Sequence, residues 1–99
     1  PATTLTEIVG QAAECAGQAV PARVGERFLL GCDLVNEGRS SSERRLAARR
    51  FKAAIRSYTR AIKVARRAAR HGVITRSCSD GVGGLLDSAR SRARTLKGS

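Results

Sequence analysis

The stretch Ser40–Gly72, SSSERRLAARRFKAAIRSYTRAIKVARRAARHG, decides how the chain folds. Ser40 followed by Glu43 has the spacing of a capping box, in which each side chain satisfies a free backbone N–H at a helix start. Beyond it no Gly or Pro appears before Gly72. Phe51, Ile55, Tyr58, Ile62, Ala65 and Ala69 alternate by four and three, which is the a/d spacing of a packed helical seam. His71-Gly72 supplies a stop, with the imidazole near the negative end of the helix dipole and Gly free to take a positive φ. The spacing therefore predicts one long helix over about 41–70.

The other face of that helix is as regular. Arg45, Arg49, Lys52, Arg56, Arg60, Lys63, Arg67 and Arg70 recur every three or four residues. At 100° per residue they share one face, opposite the Phe51–Ile62 seam, over ~38 Å. A solvated helix face ordinarily mixes signs, because opposite charges at i,i+4 stabilise it and like charges destabilise it. This stripe contains no acid, and a polyanion would relieve its repulsion. Arg dominates it, and the planar guanidinium fork suits bidentate phosphate contact and stacking on exposed bases.

Outward from the stretch, the charge is segregated. The whole chain of 99 residues carries 19 basic and 8 acidic side chains, a net +11. Residues 1–43 are net −3, residues 44–79 hold twelve basic residues and no acid, and residues 80–99 are net +2. A genome-wide bias toward Arg would spread the excess evenly, so its concentration points to a partner: RNA along the middle third, and neighbouring protein subunits along residues 1–43. A membrane-surface helix would set bulky Leu, Phe or Trp opposite the charge, whereas here that face is mostly Ala with a few larger residues, which suits close helix packing. No run approaches the ~20 apolar residues of a membrane span.

Flanking elements read as helices too. Thr4 and Glu7 form another capping box, followed by Leu5, Ile8, Ala12, Cys15 and Ala19 at helical spacing, up to Pro21. A second helix is expected over about Ala22–Asn36, with Val24, Phe28, Cys32 and Val35 on one face and Gly38 as its stop. The last helix, 79–97, would be capped by Ser79 or Asp80 and carry Val82, Leu85, Leu86, Ala89, Ala93 and Leu96. The expectation is a single all-α domain, a small bundle of three or four helices: a helical hairpin over 1–38, the long basic helix over 39–72 and the C-terminal helix. Sixteen residues are Ala and three are aromatic, so its core is thin.

The remaining motifs exclude more than they assign. Ser79-Asp80-Gly81-Val82-Gly83-Gly84 lacks the order and the Lys of a nucleotide loop. Cys15, Cys32 and Cys78 have no metal-ligand spacing, so no metal or cofactor is expected; Cys15 and Cys32 fall on apolar faces and read as buried free thiols, and in a secreted chain the alternative is a Cys32–Cys78 disulfide with Cys15 left over. No nucleophile–base set supports an enzyme. The first twenty residues have neither a basic n-region nor a continuous apolar stretch, and Pro1 fits either removal of an initiator Met or processing of a precursor. In the last helix Arg90, Arg92, Arg94 and Lys97 add cations, with Arg90, Arg94 and Lys97 on a common face.

Ala61-Ile62-Lys63, then Ala68-Ala69-Arg70-His71-Gly72-Val73-Ile74-Thr75-Arg76-Ser77, resembles the second-helix end and turn of the bacterial and plastid small-subunit ribosomal protein S-twenty family, which reads Ala-Val-Lys, then Ala-Ala-x-Lys-Gly-Val-Ile-His-Lys-Asn. Arg90-Ser91-Arg92-Ala93 is similar to that family's later Lys-Ser-Arg-Leu. The resemblance covers about a third of the chain. It implies a helical, non-catalytic rRNA-binding protein of the small ribosomal subunit, inside the cell in cytoplasm or organelle, with Arg70, Arg76, Arg90 and Arg92 as rRNA contacts. Thr75 and Ser77 stand where the family has His and Asn, and the acidic residues 1–43 where it has a basic helix. The alternatives are a small accessory subunit of a larger protein complex, and a secreted helical domain clipped by a disulfide.

Overall fold

The computed structural model describes residues 13–98. It is all-α: a 3₁₀ turn at Ala13–Cys15 is followed by α1 (Ala22–Ser40), α2 (Arg44–Arg70) and α3 (Arg76–Lys97). The Cα envelope measures 44 × 25 × 17 Å, a flat shape. It is flat because α1 and α3 both lean on α2 far more than on each other.

The central position of α2 explains its burial pattern. Phe51, Ala54, Ser57, Tyr58, Ala61, Ile62, Ala65 and Ala68 are buried. This arc is wider than the expected seam, and Ile55 and Ala69 are only half-buried at its edge. A helix with two neighbours must bury a broader arc than the stripe that serves one.

The α1–α2 seam is a fit of rings into glycines. Phe28 and Tyr58 lie with ring centroids 6.0 Å apart at 45°. The Tyr58 ring covers Gly31 so closely that a Cβ there would overlap it, and a Cβ at Gly38 would stand 2.6 Å from Phe51 Cε1. Gly38 is therefore not the stop that its type suggested. It lies buried inside α1, which runs on to Ser40. The Ser57 hydroxyl donates to the Arg27 carbonyl at 2.6 Å. The Ser40–Glu43 box does not form, since Ser40 ends α1; Ser41 Oγ instead accepts from the Glu43 N–H at 3.2 Å. Accordingly α2 begins at Arg44 rather than near 41.

The α2–α3 connection is a Schellman turn, as His71-Gly72 suggested. Gly72 adopts φ 75°, its N–H bonds to Ala69 O at 3.1 Å, and Val73 N–H bonds to Ala68 O at 2.9 Å. The next helix starts at Arg76, ahead of the expected 79, because Thr75 is its cap: Thr75 Oγ1 accepts from Cys78 N–H at 3.1 Å. In a capping box the third helical residue would return the favour to the cap's own N–H. That position holds Cys78, and the distant Gln18 takes over: its Oε1 accepts from Thr75 N–H at 2.7 Å and its Nε2 donates to Thr75 Oγ1 at 3.2 Å.

Cys78 is engaged because it forms a disulfide with Cys15, not with Cys32. Both bonded residues are buried at the junction of the 3₁₀ turn and α3, while Cys32 lies on α1 against the Tyr58 hydroxyl at 3.5 Å and is free. The Thr4–Glu7 box and the start of the expected first helix fall on residues 1–12, outside the described ones. Within the described residues that helix does not reach Ala19: Gly17 at φ 76° turns the chain out after Cys15. The core is small, as composition implied: Leu86, Val24, Val82 and the disulfide are its largest fully buried parts, with Ala54, Ala61, Ala65 and Ala93 around them.

Candidate nucleic-acid interface

With α1 and α3 packed along the buried arc of α2, the side facing away from that arc is bare. Arg45, Arg49, Lys52, Arg56, Arg60, Lys63, Arg67 and Arg70 are all exposed there. None takes part in an ion pair among the described residues, where the one salt bridge joins Arg90 and Asp87 at 2.6 Å. The local cause is the three-and-four spacing: it sets these residues about 180° from the middle of the buried arc.

The neighbouring helices extend the basic surface into three open grooves. Across the α1–α2 edge, Arg23 and Arg27 face Arg60, Lys63 and Arg67 over Val64. At the far end of the α2–α3 edge, Lys52 and Arg56 meet Arg94 and Lys97. Near the Schellman turn, Arg66 and Arg70 meet Arg76, with Ser79 and Asp80 on the opposite wall. Five cations converge at the first groove with no acid in its lining, whereas Asp80 partly neutralises the third.

The sites expected from sequence thus separate into groups. Arg60, Lys63 and Arg67 gather in one groove, Lys52, Arg56 and Arg94 in another, and Arg70 and Arg76 in the third. Arg45 and Arg49 continue the stripe toward the start of α2. Arg92 is exposed on α3 and lies near enough to Tyr58 to act on its charge. Arg90 differs from all of these: its guanidinium is bonded across to Thr59 Oγ1 of α2 at 3.2 Å and along its own helix to Asp87 Oδ1 at 2.6 Å, and its side chain is 21 % exposed. It brackets α3 to α2, and so is the poorest placed of the set to meet a phosphate.

Sequence reading missed Arg23, Arg27 and Arg66. Arg23 and Arg27 are spaced i,i+4 at the start of α1, but they stand in a segment, residues 1–43, whose net charge is −3. Arg66 lies off the stripe and gains its company only from α3. Titration chemistry lies elsewhere: burial first, then the hydrogen bond to Cys32, pushes the Tyr58 hydroxyl well above its ordinary value of 10.0 and keeps it neutral. Among the described residues no three His, Cys, Asp or Glu side chains come together, and no helix is long and apolar enough to cross a membrane. The arrangement can hold a chain of phosphates by charge and hydrogen bonds. No protein-family model, no curated protein and no solved structure matches this chain.

Proposed function

We propose that this chain is a non-catalytic RNA-binding protein, and that α2 is the long basic helix that lies along the phosphates. The observation that carries the reading is the stripe Arg45–Arg70: eight exposed cations on one face, none of them ion-paired among the described residues. A purely solvated role leaves its self-repulsion without a purpose, while RNA would offset it by releasing counterions from each phosphate met. In the narrower form of the proposal the protein is a component of the small ribosomal subunit. That form rests on the resemblance of residues 61–77 to the S-twenty family, which would set Arg70 and Arg76 against rRNA.

Binding to RNA measured across a series of salt concentrations tests the broad form. Eight phosphate contacts give a log–log slope of about −6 to −7, and a slope near zero overturns the proposal. Sedimentation with ribosomal particles, and release from them at high salt, tests the narrow form.

One observation favours a second reading. The Cys15–Cys78 disulfide suits an oxidising compartment, since cytosolic thiols are kept reduced. On that reading the chain is a secreted, disulfide-clipped helical domain whose basic face meets a polyanion outside the cell. Intact mass after alkylation on extraction separates the two: three alkylated cysteines support the ribosomal form, and one supports the secreted form.

A further inference from the structure

The three aromatic side chains of the sequence are Phe28, Phe51 and Tyr58, and they are 8 %, 6 % and 2 % exposed. All three rings are committed to the α1–α2 seam, on Gly31, on Gly38 and on each other. The basic surface therefore has no Phe, Tyr or Trp platform, and its one exposed ring is the His71 imidazole at the end of α2. Proteins that hold single strands combine a positive groove with aromatic rings on which successive bases stack. Base-paired RNA keeps its bases inside and offers phosphates and sugars, and it is recognised chiefly by shape and backbone. A straight cationic rod also favours a partner that is already ordered, because a flexible strand must lose conformational freedom to follow it.

The second observation is the row on α1. Arg23 and Arg27 stand across an acid-free groove from Arg60, Lys63 and Arg67, with Val64 in its lining. The Arg27 carbonyl, not its guanidinium, holds Ser57, so the side chain is left to the groove. The cations thus form two rows on two helices rather than a single line.

We propose that the RNA bound is base-paired, and that the chain grips its backbone irrespective of sequence, with the α2 stripe and the Arg23–Arg27 row forming one phosphate seat. This rests on the RNA-binding reading above. The test compares the full, oxidised chain binding a duplex RNA of about 16 base pairs, longer than the ~38 Å stripe, with a single-stranded oligouridylate of equal nucleotide count at matched salt. The duplex is expected to bind tighter by about tenfold or more, the equivalent of a single lost stacking contact. Oligouridylate bound as tightly or tighter overturns the inference and leaves RNA binding standing; failure of both to bind overturns RNA binding itself. In the variant Arg23→Gln/Arg27→Gln the salt slope on duplex falls in magnitude by about 1.8, and in the exposed Arg23→Gln alone by about 0.9, with helical content unchanged. An unchanged slope in the correctly folded single variant removes the α1 row from the seat.

Discussion

The two seams of α2 are built on opposite strategies. Toward α1, rings sit in the gaps left by glycines, and the polar contacts are two hydroxyl bonds, from Ser57 and Tyr58. Toward α3 the apolar side chains are modest and the Arg90 bracket crosses the seam, while α3 is further tied to the chain ahead of α1 by the Gln18–Thr75 cap and the Cys15–Cys78 bond. A chain so rich in Ala cannot build two large cores. It builds one good ring-in-slot fit and fastens the other side by bonds, which leaves the third side of α2 free for charge.

The largest expected effect comes from cutting the covalent tie. In Cys15→Ala/Cys78→Ala the link across 63 residues is lost, and stability falls by about 4 kcal/mol in denaturant titrations against the oxidised protein. A loss well below that would mean that the α3 side holds by packing, and the contrast between the seams would shrink.

Next in size is the slot itself. Gly31→Ala drives a methyl into the Tyr58 ring and is expected to lose about 1–2 kcal/mol net, overpacking outweighing the helix-propensity gain. Gly83→Ala on α3, where a Cβ meets nothing within 4 Å, is expected to gain up to about 1 kcal/mol. Thermal melts of the pair sharpen the comparison: equal gains in both would show that the ring moves aside and that Gly31 is no slot.

The last effect, confined to alkaline pH, is a pH dependence. Tyr58 ionises more readily unfolded, near 10.0, than folded, where burial raises its value. Above that pH the unfolded state binds fewer protons, so stability falls as pH rises, with a slope approaching about 1.4 kcal/mol per pH unit; below it the contribution is fully present. The difference should vanish in Tyr58→Phe, measured by urea midpoints between pH 9 and 11, and its persistence there would assign it to other groups.

The all-α fold was legible because seam and stripe repeat at helical spacing through Arg70, and the Gly72 stop because its left-handed turn needs no tertiary help. Gly38 misled because a glycine that ends a helix and a glycine that admits Phe51 look alike in sequence; only the partner ring distinguishes them. The start of α3 was misplaced because Thr75 lacks a Glu or Gln three residues on, and its partner Gln18 comes from far away in the chain. Disulfide pairing depends on which cysteines the fold brings together, and sequence spacing carries no such information for Cys15 and Cys78. On the candidate interface, the α2 stripe was readable from one helix alone. The grooves were not, because Arg23, Arg27 and Arg66 acquire their neighbours from a second helix.

The Cys15–Cys78 bond makes a closed ring of the backbone it spans, with α1, α2 and the link Ser41–Glu43, exposed at Ser42 and Glu43, inside the loop. Peptide continuity at that link is consequently redundant. Proteolytic cleavage after Glu43 would yield residues 1–43 and 44–99 still joined as one molecule, α1 held by both the sulfur bridge and its ring-in-glycine contacts. The oxidised chain can thus be nicked and remain whole, and new termini could be opened at Ser41–Glu43 without separating α1 from the helix it packs on.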